Sequence, residues 1–511
     1  MSKTKYPAPI FWTAILAVTA VKLCTHLYVN TIYGFHRDEL LYLALGQHPA
    51  WGYWSNPPLI GWLGWVAQEI FGGSLFAVRL LPTLGGCGIV VLTGLLAREL
   101  GGGRYAQLLA AITAAVSPAF LRTSMLFQPV VFDILGWALL CYLFLRYLNS
   151  NRNHYLLFFG IALGIFFLNK YLVLLFIAAL APALALTPAR NLLTRRITFF
   201  AAGLALLVMA PNLIWQVANG FPVINHMQAL QTNQLVNVQP ADFLSDQLVM
   251  HFTGLLVWVP GVWFLWKSRN LHHRIFLYLA AGVILLLLLL KGKHYYSLGI
   301  YPALMAAGGV FWEKTVTKTP TRVVLPVVMI GLLLPMAPLA IPLFAPPKMA
   351  EYCQWAREAL HFDVITRWED GRHHSLPQDF ADMLGWPEIG QAAVRAYRQV
   401  PTGTPVLIYG ENYGQAGAVD YFGRQADLPP AVSFADSYRL WMPSNTNAET
   451  LIYINDELGE DVQAIFSDIR EIGSVRDSFA REFGTTVYLC RKPRRSFAGF
   501  WAERVQEIRG Q

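Results

Sequence analysis

Residues 34–63 read GFHRDELLYLALGQHPAWGYWSNPPLIGWL, and the rest of the chain is read outward from this stretch. It lies between two apolar segments. Yet it carries adjacent carboxylates (Asp38, Glu39), basic and imidazole groups (His36, Arg37, His48), an aromatic cluster (Trp51, Tyr53, Trp54, Trp62) and a Pro-Pro pair. A loop this polar at the edge of a membrane-length run needs partners or a function, because polar groups left unpaired there are costly.

On either side the chain is unusually apolar. Of its 511 residues, 55% are hydrophobic and 14% charged, whereas a soluble chain carries about a quarter charged. Apolar runs of ~20 residues recur to about residue 345, each long enough to cross a bilayer. Beyond that point the charge density rises and no spanning run remains. The expected architecture is a polytopic α-helical membrane domain over residues 1–345, with about eleven spans. A soluble α/β domain over residues 346–511 follows, of ordinary size for an independent fold. The first apolar run lacks a small-residue cleavage site and reads as a retained anchor.

The net charge of +8 does not read as a nucleic-acid surface, because the basic residues sit at the ends of apolar runs, where they set topology. With the N-terminus and its Lys3 and Lys5 in the cytoplasm, alternate loops hold Arg98 and Arg104, Arg146 and Arg152, and Arg190, Arg195 and Arg196. Lys267, Arg269 and Arg274, then Lys314, Lys318 and Arg322, continue the series. The stretch around Asp38 and the C-terminal domain then share the outer side. Basic residues left on that side are Arg37, Arg122, Lys170, Lys291, Lys293 and His294. Singly, each fits interfacial snorkelling. As a set beside Asp38 and Glu39 they suggest an anion site at the membrane surface, and lipid phosphate is the obvious anion there.

In the C-terminal segment, residues 351–360, 388–399 and 412–424 read as helices. Residues 406–409, 451–454 and 486–489 read as short buried strands, and their alternation favours an open α/β sheet. The glycines at 410 and 414 lack a dinucleotide fingerprint, so no nucleotide is assigned. Cys353 and Cys490 could bridge if this domain is extracytoplasmic, although spacing alone cannot establish a pair. The adjacent pairs His272-His273 and His373-His374 lack metal-ligand spacing. No cofactor is expected, and a divalent metal is possible without being indicated.

Asp38 is the foremost candidate for chemistry. On a short helix over 36–46, Asp38 and Tyr42 share a face, four residues apart. A carboxylate there can take the proton of an attacking hydroxyl as a general base; it can also simply cap the helix or pair with Arg37. Glu39, about 100° round the helix, reads first as a structural group. Trp51, Tyr53 and Trp54 fit an interfacial aromatic belt and equally a surface on which sugars stack. Asp133 is an ionisable group within a span, a functional candidate by default. Lys170, Lys293, His294 and Tyr295 lie at outer span ends, where cations stabilise a departing phosphate.

The order of these segments resembles the family 39-like glycosyltransferases of the GT-C membrane fold. The resemblance rests on the acidic pair after the first span, Pro57-Pro58-Leu59, Phe132-Asp133, Leu168-Asn169-Lys170-Tyr171, residues 211–215 and Tyr295-Tyr296 with Tyr301-Pro302. Residues 381–387 and 413–418 extend it into the C-terminal part. It is strongest toward bacterial members that place aminoarabinose on lipid A or galacturonic acid on rhizobial lipopolysaccharide. It implies a polyprenyl-phosphate sugar donor, an envelope lipid, glycan or protein acceptor, and inverting transfer at the periplasmic face of the bacterial inner membrane. It places catalysis on Asp38, and Glu39 and Asp133 are read beside it as supporting acids. It gives the donor phosphate to Lys170, Lys293, His294 and Tyr295; Arg37 is read as joining them, and Tyr42, Trp54 and Asn56 as acceptor or sugar contacts. Many lipid A transferases carry Lys and Arg where this chain has Asn56 and Leu41. An O-antigen ligase or polymerase, or a flippase for a lipid-linked sugar, are the competing functions; neither accounts for both the acidic pair and the appended domain.

Overall fold

The computed structural model describes residues 8–233 and 235–509, so Lys3 and Lys5 lie outside the described residues. The chain divides into two compact units. One comprises Met1–Asn30, Asn56–Ile60 and Arg79–Ile341; the other comprises Thr31–Ser55, Gly61–Val78 and Pro342–Gln511. The last segment of the second unit starts at Pro342, and this unit also contains most of the stretch 34–63.

Among the described residues, four helices are long and apolar enough to cross a membrane: Trp12–Val29, Leu75–Glu99, Pro129–Ser150 and Arg196–Ala218. At 1.5 Å per residue the longest reaches about 37 Å, more than the hydrocarbon core. A fifth crossing is available if Pro240–Val249 and Phe252–Lys267, bent by 65°, act together. Asn153–Phe167, Val173–Ala185, Arg274–Leu289 and Thr319–Leu333 are apolar but shorter. The expected eleven spans count such pieces as crossings.

Two further apolar runs are interrupted. The run over 105–121 divides into Arg104–Ala115 and Pro118–Thr123. The break falls at Ser117, whose hydroxyl accepts the Phe120 amide while Pro118 has no amide to offer. The run over 323–344 divides into Thr319–Leu333 and Ala337–Ala340. Arg122 donates to the carbonyls of Leu339 and Ala340, so this member of the outer basic set caps a helix end. Buried Lys22 donates to the Phe120 carbonyl, and a ring nitrogen of His26 lies 3.0 Å from that of Leu121. These contacts bring side chains of the first helix onto two carbonyls of helix Pro118–Thr123.

The second unit is built on a four-stranded sheet: β1 (Val406–Gly410), β2 (Thr450–Asn455), β3 (Phe466–Ser474) and β4 (Thr486–Pro493). The order is β1-β2-β4-β3. β1 and β2 run parallel, joined through helix Tyr413–Phe422, whereas β4 is antiparallel to both β2 and β3. The sheet is therefore mixed, and it includes a strand that the sequence pattern missed. β3 is an edge strand with a register shift between Glu471 and Gly473, which breaks the alternation on which strand patterns depend. One sheet face buries Leu407, Tyr409, Tyr453 and Tyr488 with Trp501 of helix Phe497–Arg509. Cys490 belongs to this cluster, Cys353 lies on helix Pro346–Leu360, and both are free thiols, so the suggested disulfide is absent.

Candidate active site

Helix Arg37–Gln47 begins with a capping box. The His36 Nδ1 accepts the Asp38 amide at 3.1 Å, and Glu39 Oε2 accepts the His36 amide at 2.8 Å. This closes two of the amides that a helix start leaves unpaired. Glu39 is fully buried in that duty, the structural role its position suggested. Leu40, Leu41, Leu43, Ala44 and Leu45 bury the rest of the helix. Tyr42 is also buried, at 9% exposure.

Asp38 points out of this frame, its side chain 26% exposed. Its Oδ1 accepts the Tyr413 hydroxyl at 2.8 Å, and Arg37 Nε lies 3.9 Å from the same oxygen. The Arg37 guanidinium also stands 5.2 Å from the Tyr413 ring centroid. Burial first, and the Asp38 charge second, push the Tyr413 hydroxyl well above its ordinary range. It therefore stays protonated and donates. Burial pulls Arg37 down, but Tyr413, Asp382, Asp38 and Glu369 outweigh it and keep the guanidinium charged. The result is an accessible carboxylate held between one neutral donor and one fixed cation.

Tyr413 was not singled out for chemistry in the sequence, although it opens the segment 413–418. Its helix starts with a second capping box, Asn412 with Gln415. Gly414 and Gly417 then let that helix approach Arg37 and Leu40 closely. A Cβ on Gly414 would stand 2.5 Å from Arg37 Cγ, and one on Gly417 would stand 2.9 Å from Leu40 Cβ. The two glycines explain why this segment can carry a tyrosine to Asp38.

Behind Asp38, ligand atoms of His36, Asp379 and Asp382 lie within 4.8 Å of one another. The donor set does not fit a metal. Because Nδ1 accepts an amide proton, the single proton of the neutral ring is on Nε2, the atom facing Asp382. Arg481 already pairs with the Asp382 carboxylate at 3.2 Å.

The aromatic cluster divides by role. Tyr53 is not an interfacial residue: it is fully buried and donates to the Leu45 carbonyl at 2.9 Å. Trp51 is exposed and packs edge-on against Trp62, 4.8 Å between centroids. Trp54 is half-buried, with the Arg439 guanidinium 5.0 Å from its ring.

The other unit holds Asn56, half-buried, and a separate cationic group. Lys170 Nζ lies 4.8 Å from the Tyr296 ring centroid and 5.2 Å from that of Tyr295. Asn169 donates to the Pro129 carbonyl, tying this loop to the start of the helix that carries buried Asp133. Burial lowers the Lys170 ammonium to about 8, with Asp133 pulling the other way and Lys293 adding to the depression. His294 is engaged by Asp246 at 3.2 Å. Arg37 and Asp38 thus belong to one unit, and Asp133, Lys170, Lys293, His294 and Tyr295 to the other.

Comparison with known proteins agrees with this architecture. Residues 55–215 match the dolichyl-phosphate-mannose-protein mannosyltransferase family. The lipid A galacturonosyltransferase RgtD of Rhizobium johnstonii is 30% identical over 200 residues, 38% of this chain and 41% of the relative. The matched part thus spans less than half of that relative's length. The crystal structure of ArnT from Cupriavidus metallidurans bound to undecaprenyl phosphate superposes with a TM-score of 0.61 at 14% identity. That superposition covers 94% of this chain and 98% of the other. The apo form of the same protein gives 0.60, again at 14% identity, covering 94% and 97%.

The chain has the GT-C fold class of ArnT, with several helices long and apolar enough to cross a membrane and a small C-terminal sheet domain. Within that class it is similar to ArnT in fold and to RgtD in sequence.

Proposed function

We propose that the protein moves a sugar from a polyprenyl-phosphate donor to a lipid, glycan or protein acceptor at the periplasmic face of the bacterial inner membrane, with inversion. The observation that carries this reading is the Asp38 carboxylate, partly exposed and held by Tyr413 and Arg37. Asp38 takes the proton of an acceptor hydroxyl as that oxygen bonds to the sugar's anomeric carbon. The bond from that carbon to the phosphate oxygen breaks on the opposite side, so a single displacement inverts the centre.

The leaving polyprenyl phosphate is already a stable anion. Its departure needs positive charge more than a proton, and Lys170 with Lys293 is suited to that role. ArnT bound to undecaprenyl phosphate and RgtD as a lipid A enzyme support a lipid-linked donor and a lipid acceptor.

The test uses purified full-length protein, radiolabelled polyprenyl-phosphate sugar and envelope extract as acceptor. Asp38→Asn keeps the size and removes the base, and transfer is expected to fall by about 10²–10⁴-fold. Undiminished transfer in that variant removes Asp38 from the mechanism. Movement of intact donor across vesicles without bond cleavage identifies a flippase instead.

A further inference from the structure

We propose that His36 and Asp382 are positioning residues for Asp38, acting through one imidazole tautomer at the start of helix Arg37–Gln47. The inference rests on the reading of Asp38 as the reacting carboxylate.

Helix N-caps are ordinarily Ser, Thr, Asp or Asn, whose oxygen accepts an amide from the first turn. Here an imidazole takes that place, and the amide it accepts belongs to Asp38 itself. A neutral ring has one proton, so acceptance at Nδ1 places it on Nε2. His36 is 4% exposed, and Nε2 has no hydrogen-bond partner among the described residues. It faces Asp382 Oδ2 at 3.9 Å, a side chain only 2% exposed. Asp38 Oδ2 stands 4.0 Å from Nδ1 on the other side of the ring, so it is the amide donated to Nδ1 that sets the tautomer and leaves the N–H facing Asp382. The opposite tautomer, and the imidazolium, would set an N–H on Nδ1 against the Asp38 amide.

Asp382 contributes twice more. Its backbone carbonyl accepts the Arg37 amide at 3.0 Å and the Trp386 indole at 2.7 Å. Arg481 offsets its charge, with a guanidinium nitrogen 3.2 and 3.4 Å from the two carboxylate oxygens. The amides of Arg37 and Asp38 are thus fixed by Asp382 and His36, while the Asp38 carboxylate is fixed by Tyr413. A serine cap would serve the helix equally but could not reach Asp382. An imidazole joins the two and ties the backbone of Asp38 to the buried segment 378–386.

The test compares wild type with His36→Ala, His36→Asn, Asp382→Asn and Asp38→Asn. Steady-state transfer is measured from undecaprenyl-phosphate-linked galacturonic acid to lipid A, with thermal melting run in parallel. His36→Ala and Asp382→Asn are expected to lower kcat by about ten- to a hundredfold while donor KM moves less than about twofold, the signature of a misplaced group rather than lost binding. Asn caps a helix well but carries no imidazole toward Asp382, so His36→Asn is expected to restore the melting temperature while kcat stays about ten- to a hundredfold low.

Loss of transfer in Asp38→Asn with unchanged kcat in His36→Ala overturns this inference and leaves the proposed function standing. Retained transfer in Asp38→Asn overturns the proposed function itself. Recovery of kcat in His36→Asn to within about threefold of wild type also overturns the inference, because it reduces His36 to a plain helix cap. So does stoichiometric Mn²⁺ binding that Asp382→Asn abolishes, which would make the pocket a cation site.

Discussion

The Tyr413 hydroxyl donates to Asp38 Oδ1 at 2.8 Å across 375 positions of sequence. A helix of the C-terminal segment therefore orients the carboxylate that the opening acidic pair supplies. A hydrogen bond to a charged group contributes about 1.5–3 kcal/mol. Tyr413→Phe is expected to lower the melting temperature and to reduce kcat about tenfold, with donor KM little changed. Differential scanning fluorimetry and initial rates of sugar transfer check both.

Lys170 supplies a pH dependence whose direction can be worked out. Its ammonium, lowered to about 8 mainly by burial, is charged below that pH and loses its charge as pH rises through it. A phosphate held by this cation therefore binds more weakly on the alkaline side. Donor KM is expected to rise as pH passes about 8, and bound phosphate will move the transition upward. Lys170→Arg, which stays charged throughout, should remove the rise. The check is a KM–pH profile for the two proteins over the same range.

Gly417 sets the approach of helix Tyr413–Phe422 to helix Arg37–Gln47. A methyl group there meets Leu40 Cβ at 2.9 Å and its backbone carbon and oxygen at 3.2 Å, atoms that cannot swing away. Gly417→Ala is expected to cost about 1–3 kcal/mol, the usual range for overpacking. It should also depress transfer, because Leu40 is two residues from Asp38. Chemical denaturation and activity measured on one preparation check the pair of effects.

All five cysteines are free. Thiol titration of protein denatured without reductant is expected to return five reactive groups, and reductant should leave the melting temperature unchanged. Cys490 is fully buried and Cys353 nearly so, so labelling of both should be slow in the native state.

Some of this was legible from local pattern. The helix after Phe35 follows from an acidic first turn and a dense apolar run. The strands at 406, 450 and 486 follow from short β-branched and aromatic runs between breakers. The aromatic stretch misled at Tyr53, because a tyrosine beside a membrane-length run reads as interfacial until its hydroxyl is found on a buried carbonyl. β3 was hidden because an edge strand with a bulge and alternating charges lacks a clean period.

The sequence by itself determined the apolar helices, the charged C-terminal segment and the acidic pair that opens the site. Hydropathy, charge placement and capping are properties of near neighbours in the chain, so they can be read without coordinates. Tertiary structure alone decided what holds Asp38: Tyr413 in front, and His36 backed by Asp382 and Arg481 behind. Tyr413, Asp382 and Arg481 lie hundreds of residues downstream of Asp38. Only packing, and the two glycines that permit it, bring them within hydrogen-bond and ion-pair reach.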